Sequence, residues 1–413
     1  MINIPLKKKL YNFIKLKGER IEKDYNSASF CSFMFANELD ILQKDKKEIR
    51  DIEKQTIEKK YDASKDEWVG KLNLSSDIKK DKNITDNISS DTNRSVGLGF
   101  SQSIYESGGI EYSIEYAKEQ LKSDMIAWEN QNISLLQTIY ETLLDIKKLK
   151  LQIEQSDFTL KNKDIELVIK KVQYQAGKAD IIDFNNAVMA KNNQLKENIS
   201  LKNQLKSKEF ELSKYTALKS NEISLIDFKI VDKEKFLRDN ITLKYENSKA
   251  KLLDISDKQL KSSYLPKVSL NTSAMYKNNQ NQDSNQSASV GLNMTMPIFD
   301  ITKDAKLEKS KLELLKQRLN ITDMENELAY EYEQIITQLD TYDEFEKTIS
   351  SNLKLYDDLI VANKSSNAVG MTATYDLEIL ENTKKINEYD LKINDINKKL
   401  QYTKLYFKTK VNI

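Results

Sequence analysis

The sequence predicts a mainly α-helical chain with a small β portion: long antiparallel, coiled-coil-like helices and four β-strands, arranged as a unit that occurs twice. Three observations carry this. The 413 residues contain only nine glycines and three prolines, so regular elements run long before anything interrupts them. Two stretches without either residue, 111–174 and 301–366, carry apolar positions at helical spacing. Each is preceded by a pair of segments in which apolar and small polar residues alternate.

The elements follow in chain order. Lys7, Lys8, Lys9, Lys15, Lys17 and Arg20 precede the short apolar run Ser27–Ala36, so residues 1–36 read as a degenerate secretory segment cleaved after Ala36. The first repeat, 37–220, opens with a helix. Strands at about 67–76 (Trp68, Leu72, Leu74) and 94–105 (Val96, Leu98, Phe100, Ile104) follow, then a long helix at 111–174 and a return helix at 181–218. The second repeat, 221–413, has a helix at about 233–263, strands at about 267–276 and 287–298, a long helix at 301–366 and a return helix at 375–410. In the first long helix Ile139, Ile146, Ile153, Leu160 and Leu167 recur every seven residues. In the second, ten apolar positions from Leu328 to Ile360 recur about every 3.6 residues, as on one helix face. At about 1.5 Å per residue each long helix would reach about 100 Å.

Each long helix ends at a glycine and restarts as a second helix. Gly177 can adopt the left-handed conformation that closes a helix, and Asp180 can cap the next one; Gly370 with Thr372 or Thr374 is the counterpart. Gly177 and Gly370 are 193 residues apart, as are Asp183 and Asp376. That common offset marks a duplicated unit rather than a short solenoid repeat. Gly108 and Gly109 turn the chain from the second strand into the first long helix, and Pro297-Ile298-Phe299-Asp300 does so in the second half, where Asp300 can cap the helix. The connections Asp77–Thr92 and Lys277–Ser287 are hydrophilic apart from isolated isoleucines.

Composition excludes several classes of activity. There is no histidine, so the usual proton shuttle, imidazole ligands and Ser-His-Asp chemistry are absent. The single Cys31 allows no internal disulfide or thiolate cluster. A net charge of +1 gives no reason to expect nucleic acid. No metal, cofactor or catalytic constellation is indicated, so the chain does not read as an enzyme. No apolar run reaches the length of a membrane-spanning helix, so membrane insertion would have to use strands. Taken singly, the strands fit a half-buried soluble sheet as well as a membrane barrel. Four strands cannot close a barrel, so in lipid their edges would have to be shared between chains.

The order of elements, with Leu265-Pro266 before the third strand, Val290-Gly291-Leu292 through Asp300, and an aspartate six residues after each turn glycine, resembles the TolC family of outer-membrane efflux proteins over residues 38–410. That resemblance implies a homotrimer in the outer-membrane lipid: a shared 12-stranded β-barrel above a periplasmic α-barrel, working with a periplasmic adaptor and an inner-membrane transporter. The implied role is the exit duct for drugs, other toxic solutes or, in type I secretion, proteins. The resemblance also makes Asp376 a gate and selectivity candidate, with Asp183 its first-half counterpart. Both carboxylates, Asp183 more than Asp376, also fit a simpler role at the positive end of a helix dipole. Ile379, Thr372 and Asn367 depart from the family's gate and latch pattern. The competing reading is a soluble coiled-coil scaffold in which the hairpins are incidental.

Overall fold

A computed structural model describes residues 39–83, 89–279, 282–368 and 374–409; the expected secretory segment lies outside them. Eleven elements follow in order: α1 (Lys44–Ser64), β1 (Leu72–Asn83), β2 (Ser89–Tyr105), α2 (Gly109–Gln175), α3 (Ile181–Ser213), α4 (Lys233–Arg238), α5 (Ile241–Ser262), β3 (Lys267–Asn279), β4 (Gln282–Thr295), α6 (Lys303–Ala368) and α7 (Thr374–Thr409). The long helices α2 and α6 have 67 and 66 residues. Both match the stretches that lack glycine and proline.

Several boundaries differ from the sequence reading. The hydrophilic connections are mostly strand: β1 continues to Asn83, β2 begins at Ser89, and β3 and β4 approach to Asn279 and Gln282. Ladder hydrogen bonds are indifferent to side-chain polarity, so a hairpin extends past its apolar portion. Trp68 precedes β1 in a turn, and β4 ends at Thr295, which leaves Met296, Pro297 and Ile298 outside it. The expected helix at 233–263 is two helices, broken at Asp239-Asn240. Asp232 caps the short one through Lys235 N, and the fully buried Phe236 packs on Tyr332 at 5.5 Å between ring centroids. The return helix α3 stops at Ser213, where Gln43 takes the terminal carbonyls: its side chain donates to Ser213 O (2.6 Å) and its backbone N–H to Tyr215 O (2.9 Å).

The chain forms two compact units, each drawing on both halves of the sequence. One gathers Met1–Ile49, Gln131–Ile241 and Ala329–Ile413; the other gathers Arg50–Asn130 and Thr242–Leu328.

In the first unit α2 is the central helix. Leu136, Ile139, Leu143, Leu144 and Ile146 are fully buried, and Tyr140 meets Phe228 and Phe407 in an aromatic cluster with centroids 5.9 and 5.7 Å away. Further along α2 the packing turns polar. Asn198 of α3 donates to Ser156 Oγ (3.1 Å) and Asp157 Oδ1 (2.8 Å). Asn382 of α7 donates to Asn162 Oδ1 (2.9 Å), Asn162 donates to Thr383 Oγ1 (3.2 Å), and Gln155 donates to Asp390 (2.6 Å). Asn162, Asn198 and Asn382 are buried. A buried, hydrogen-bonded amide of this kind fixes the alignment of packed helices, as an asparagine does at a coiled-coil core position.

In the second unit Trp128 of α2 donates its indole N–H to Arg50 O (2.9 Å) while the Arg50 guanidinium donates to Trp128 O (3.0 Å). Lys60 pairs with Asp124 at 2.8 Å. Ser248 of α5 donates to Ser123 of α2 at 2.9 Å. The same unit carries an antiparallel sheet of order β1-β2-β3-β4. Among the described residues β1 pairs only with β2, and β4 only with β3.

Candidate functional site

The register of the sheet places its apolar residues together. Leu74 lies opposite Leu98, which lies opposite Ala274 and then Ala288; Leu72, Phe100, Thr272 and Val290 form the adjoining row, and Leu270 faces Leu292. Directly paired residues share a face, so period-two alternation in four separate segments becomes one apolar surface. Most of it is exposed, Leu74 at 72% and Val290 at 77%, while Phe100, Leu270 and Thr272 are half-buried. The opposite face carries serine, asparagine and glycine, with Ser101 donating to Asn271 (2.7 Å) and Ser273 bonded to Ser289 (2.8 Å). Among the described residues no helix is long and apolar enough to cross a membrane.

The corners between strands and long helices are fixed by polar contacts. Asp300 accepts from Thr302 N (2.8 Å) and Thr302 Oγ1 (2.6 Å), from Lys306 (3.2 Å) and from the Tyr264 hydroxyl (3.1 Å). These bonds, those from Thr302 foremost, hold its carboxyl well below the usual carboxylate range. Asp300 thus caps the entry to α6 as its position suggests. Next to it Ile298 and Phe299 are 96% and 84% exposed. In the first half the corner uses Ser107 (φ 52°) and Gly108 (φ 91°), both left-handed, and Ser107 Oγ donates to Pro266 O (2.7 Å). Ser107 and Tyr264 escaped the sequence reading. Neither belongs to a spacing pattern, and the contacts of both are long-range.

At the first helix turn Gly177 has φ 66°. Its N–H bonds to Tyr174 O (3.0 Å) and that of Lys178 to Gln173 O (2.8 Å), which is the paired closure of a Schellman motif. Asp180 then caps α3 by accepting from Asp183 N (2.8 Å), and Tyr174 stacks on Phe184 at 5.9 Å. The Asp183 side chain is exposed in the first turn of α3, and Asp376 is exposed in the first turn of α7. Among the described residues no hydrogen bond or ion pair joins them. Gly370 and Thr372 lie outside the described residues, as does the side chain of Asn367; Ile379 is half-buried.

Residues 51–218 match the family described as outer membrane efflux protein. Over this stretch the chain is similar to that family. The outer membrane efflux protein match runs from α1 through the first hairpin and α2 to the end of α3. Solved structures extend the likeness in fold to nearly the whole chain. A membrane protein of Pseudomonas aeruginosa superposes with a TM-score of 0.71 at 12% identity, covering 91% of this chain and 89% of its own. The Campylobacter jejuni CmeC outer membrane channel gives 0.69 at 14% identity, covering 89% and 83%. CusC, solved in a study of folding and transmembrane channel formation, gives 0.68 at 12% identity and covers 90% of each chain. No curated protein matches by sequence.

Proposed function

We propose that this protein is an outer-membrane efflux protein, the exit duct of a tripartite efflux or type I secretion system. Three copies each contribute β1–β4 to one 12-stranded barrel in the outer membrane, and their helices enclose a periplasmic tunnel. The duct conducts passively. A periplasmic adaptor and an inner-membrane transporter supply contact and energy, and drugs, other toxic solutes or proteins are the cargo. The observation that supports this best is the four-stranded sheet with one apolar face largely exposed and, among the described residues, both edges unpaired. A water-soluble scaffold would leave that surface and those edges as an aggregation hazard. A barrel shared between copies covers both, with lipid outside and the polar face toward a lumen.

Within this reading Asp376 forms the selectivity ring, three carboxylates around one axis attracting cations and excluding anions. Asp183 lies at the matching turn of the first repeat, and Gly177 and Gly370 shape the two tips. Pro297, Phe299 and Asp300 form the junction between barrel and tunnel. The test is size in detergent together with conductance in planar bilayers. A trimer that conducts, and whose cation preference falls on Asp376→Asn, is expected. A monomer unable to insert would overturn the duct; unchanged selectivity of the variant would overturn the gate.

A further inference from the structure

The apolar face of the sheet ends differently at its two extremes. At the end nearest the helices the β2 bulge brings Tyr105 opposite Val268, and the exposed Ile298 and Phe299 follow β4. At the hairpin end Arg94 lies opposite Ile78 on one side and Asn278 on the other, and Lys80 lies opposite Thr92. Lys80 is therefore the diagonal neighbour of Arg94 on the same face, about 7–8 Å away between strands. Both side chains are exposed. They are the only charges among the described side chains of that face, and both are positive. The other described cations of this end, Lys79 and Lys277, fall on the opposite face, where Asp77 and Lys277 both lie opposite Ser95.

Two like charges side by side at the rim of an apolar surface repel each other, and a carboxylate on the same face would be the ordinary remedy. None is present among the described side chains. A phosphate fits the gap: the guanidinium fork of Arg94 matches two of its oxygens, and the flexible Lys80 ammonium can reach a third from the diagonal position. Since these cations lie just past the apolar rows, the phosphate must sit at the depth of a lipid headgroup. We propose that Lys80 and Arg94 clamp the phosphate of an anionic lipid in the leaflet at the hairpin end of the sheet. This rests on the reading that the apolar face meets lipid.

The test reconstitutes the full chain and its Lys80→Gln/Arg94→Gln double variant in phosphatidylcholine vesicles, with and without diphosphoryl lipid A, and measures the lipid retained after extraction. Each cation near an anionic leaflet is worth about fivefold in lipid partition, so roughly 30-fold for the pair at low salt. Wild type is expected to retain lipid A over phosphatidylcholine, and the double variant to lose that enrichment. Lys277→Gln, on the opposite face, should keep it. Equal retention by wild type and double variant, equal loss in Lys277→Gln, or displacement of the lipid by inorganic phosphate would each overturn the clamp. Insertion into pure phosphatidylcholine without lipid A enrichment refutes the clamp alone. Failure of wild type to insert in any vesicle refutes the membrane reading with it.

Discussion

Val290 and Gly291 are adjacent on β4 and point to opposite faces, which makes them a sensitive test of the bilayer reading. Val290 is 77% exposed on the apolar face, opposite Thr272. Gly291 lies on the polar face with nothing within 4 Å of where a Cβ would stand and no left-handed backbone, so a larger side chain meets neither clash nor strain. Val290 sits near the middle of the apolar row that runs from Met294 to Ala288. An arginine at the bilayer midplane of a barrel costs about 2–4 kcal/mol, roughly 30- to 1,000-fold in the folded fraction at about 1.4 kcal/mol per decade. Gly291→Arg, facing a water-filled lumen, should cost far less. The assay is denaturant-driven folding into vesicles, scored by protection of the hairpins from protease. Val290→Arg should fold poorly and Gly291→Arg nearly as well as wild type. Equal folding of the two, or the reverse order, would mean that the apolar face does not meet lipid.

Gly177→Ala should destabilise by about 1–2 kcal/mol from backbone strain alone, because the left-handed conformation is the obstacle and space is not; Gly177→Asn should lose less, and identical melting temperatures for the two would refute the argument. Asn382→Ala leaves the Asn162 carbonyl without its buried donor and should cost about 1–3 kcal/mol. Replacing Asn162 and Asn382 together by leucine should recover much of that stability, which paired denaturation curves would reveal. Asp300 has a depressed folded-state pKa, so it stabilises its corner above the ordinary aspartate value of about 4. That contribution is lost as pH falls through the lower folded value. Asp300→Asn should therefore flatten the loss of stability between pH 4 and stronger acid; an acid titration of unfolding as steep as that of wild type would contradict this.

The long helices and the alternating strands were legible because each is written in a local period. Ile139 and Ile146 are buried as the seven-residue stripe implies. The later positions of that stripe are half-buried, because α2 there meets its neighbours through Asn162, Gln155 and Ser156 instead. Strand ends were poorly legible, since Asp77, Lys79 and Lys80 give no apolar signal yet continue the ladder of β1. Trp68 misled by its bulk alone, and the break at Asp239-Asn240 depends on Phe236 finding Tyr332 far along the chain. At the candidate site, Asp300 was readable as a cap from its place before a helix, but Tyr264 and Ser107, which brace the corners, act through long-range contacts. Asp183 and Asp376 were picked out by the family resemblance and by their common offset; within one chain each is an exposed first-turn carboxylate.

The buried amides along α2 constrain how the helices around it can move. Asn198 and Asn382 each find their partners at a single axial position. Slipping either neighbour by one turn, about 5.4 Å, would break those hydrogen bonds. Tilting or rolling about the same contact would keep them bonded. Any dilation at the helix tips must accordingly proceed as a hinge about these amide pivots, with no telescoping of one rod past another.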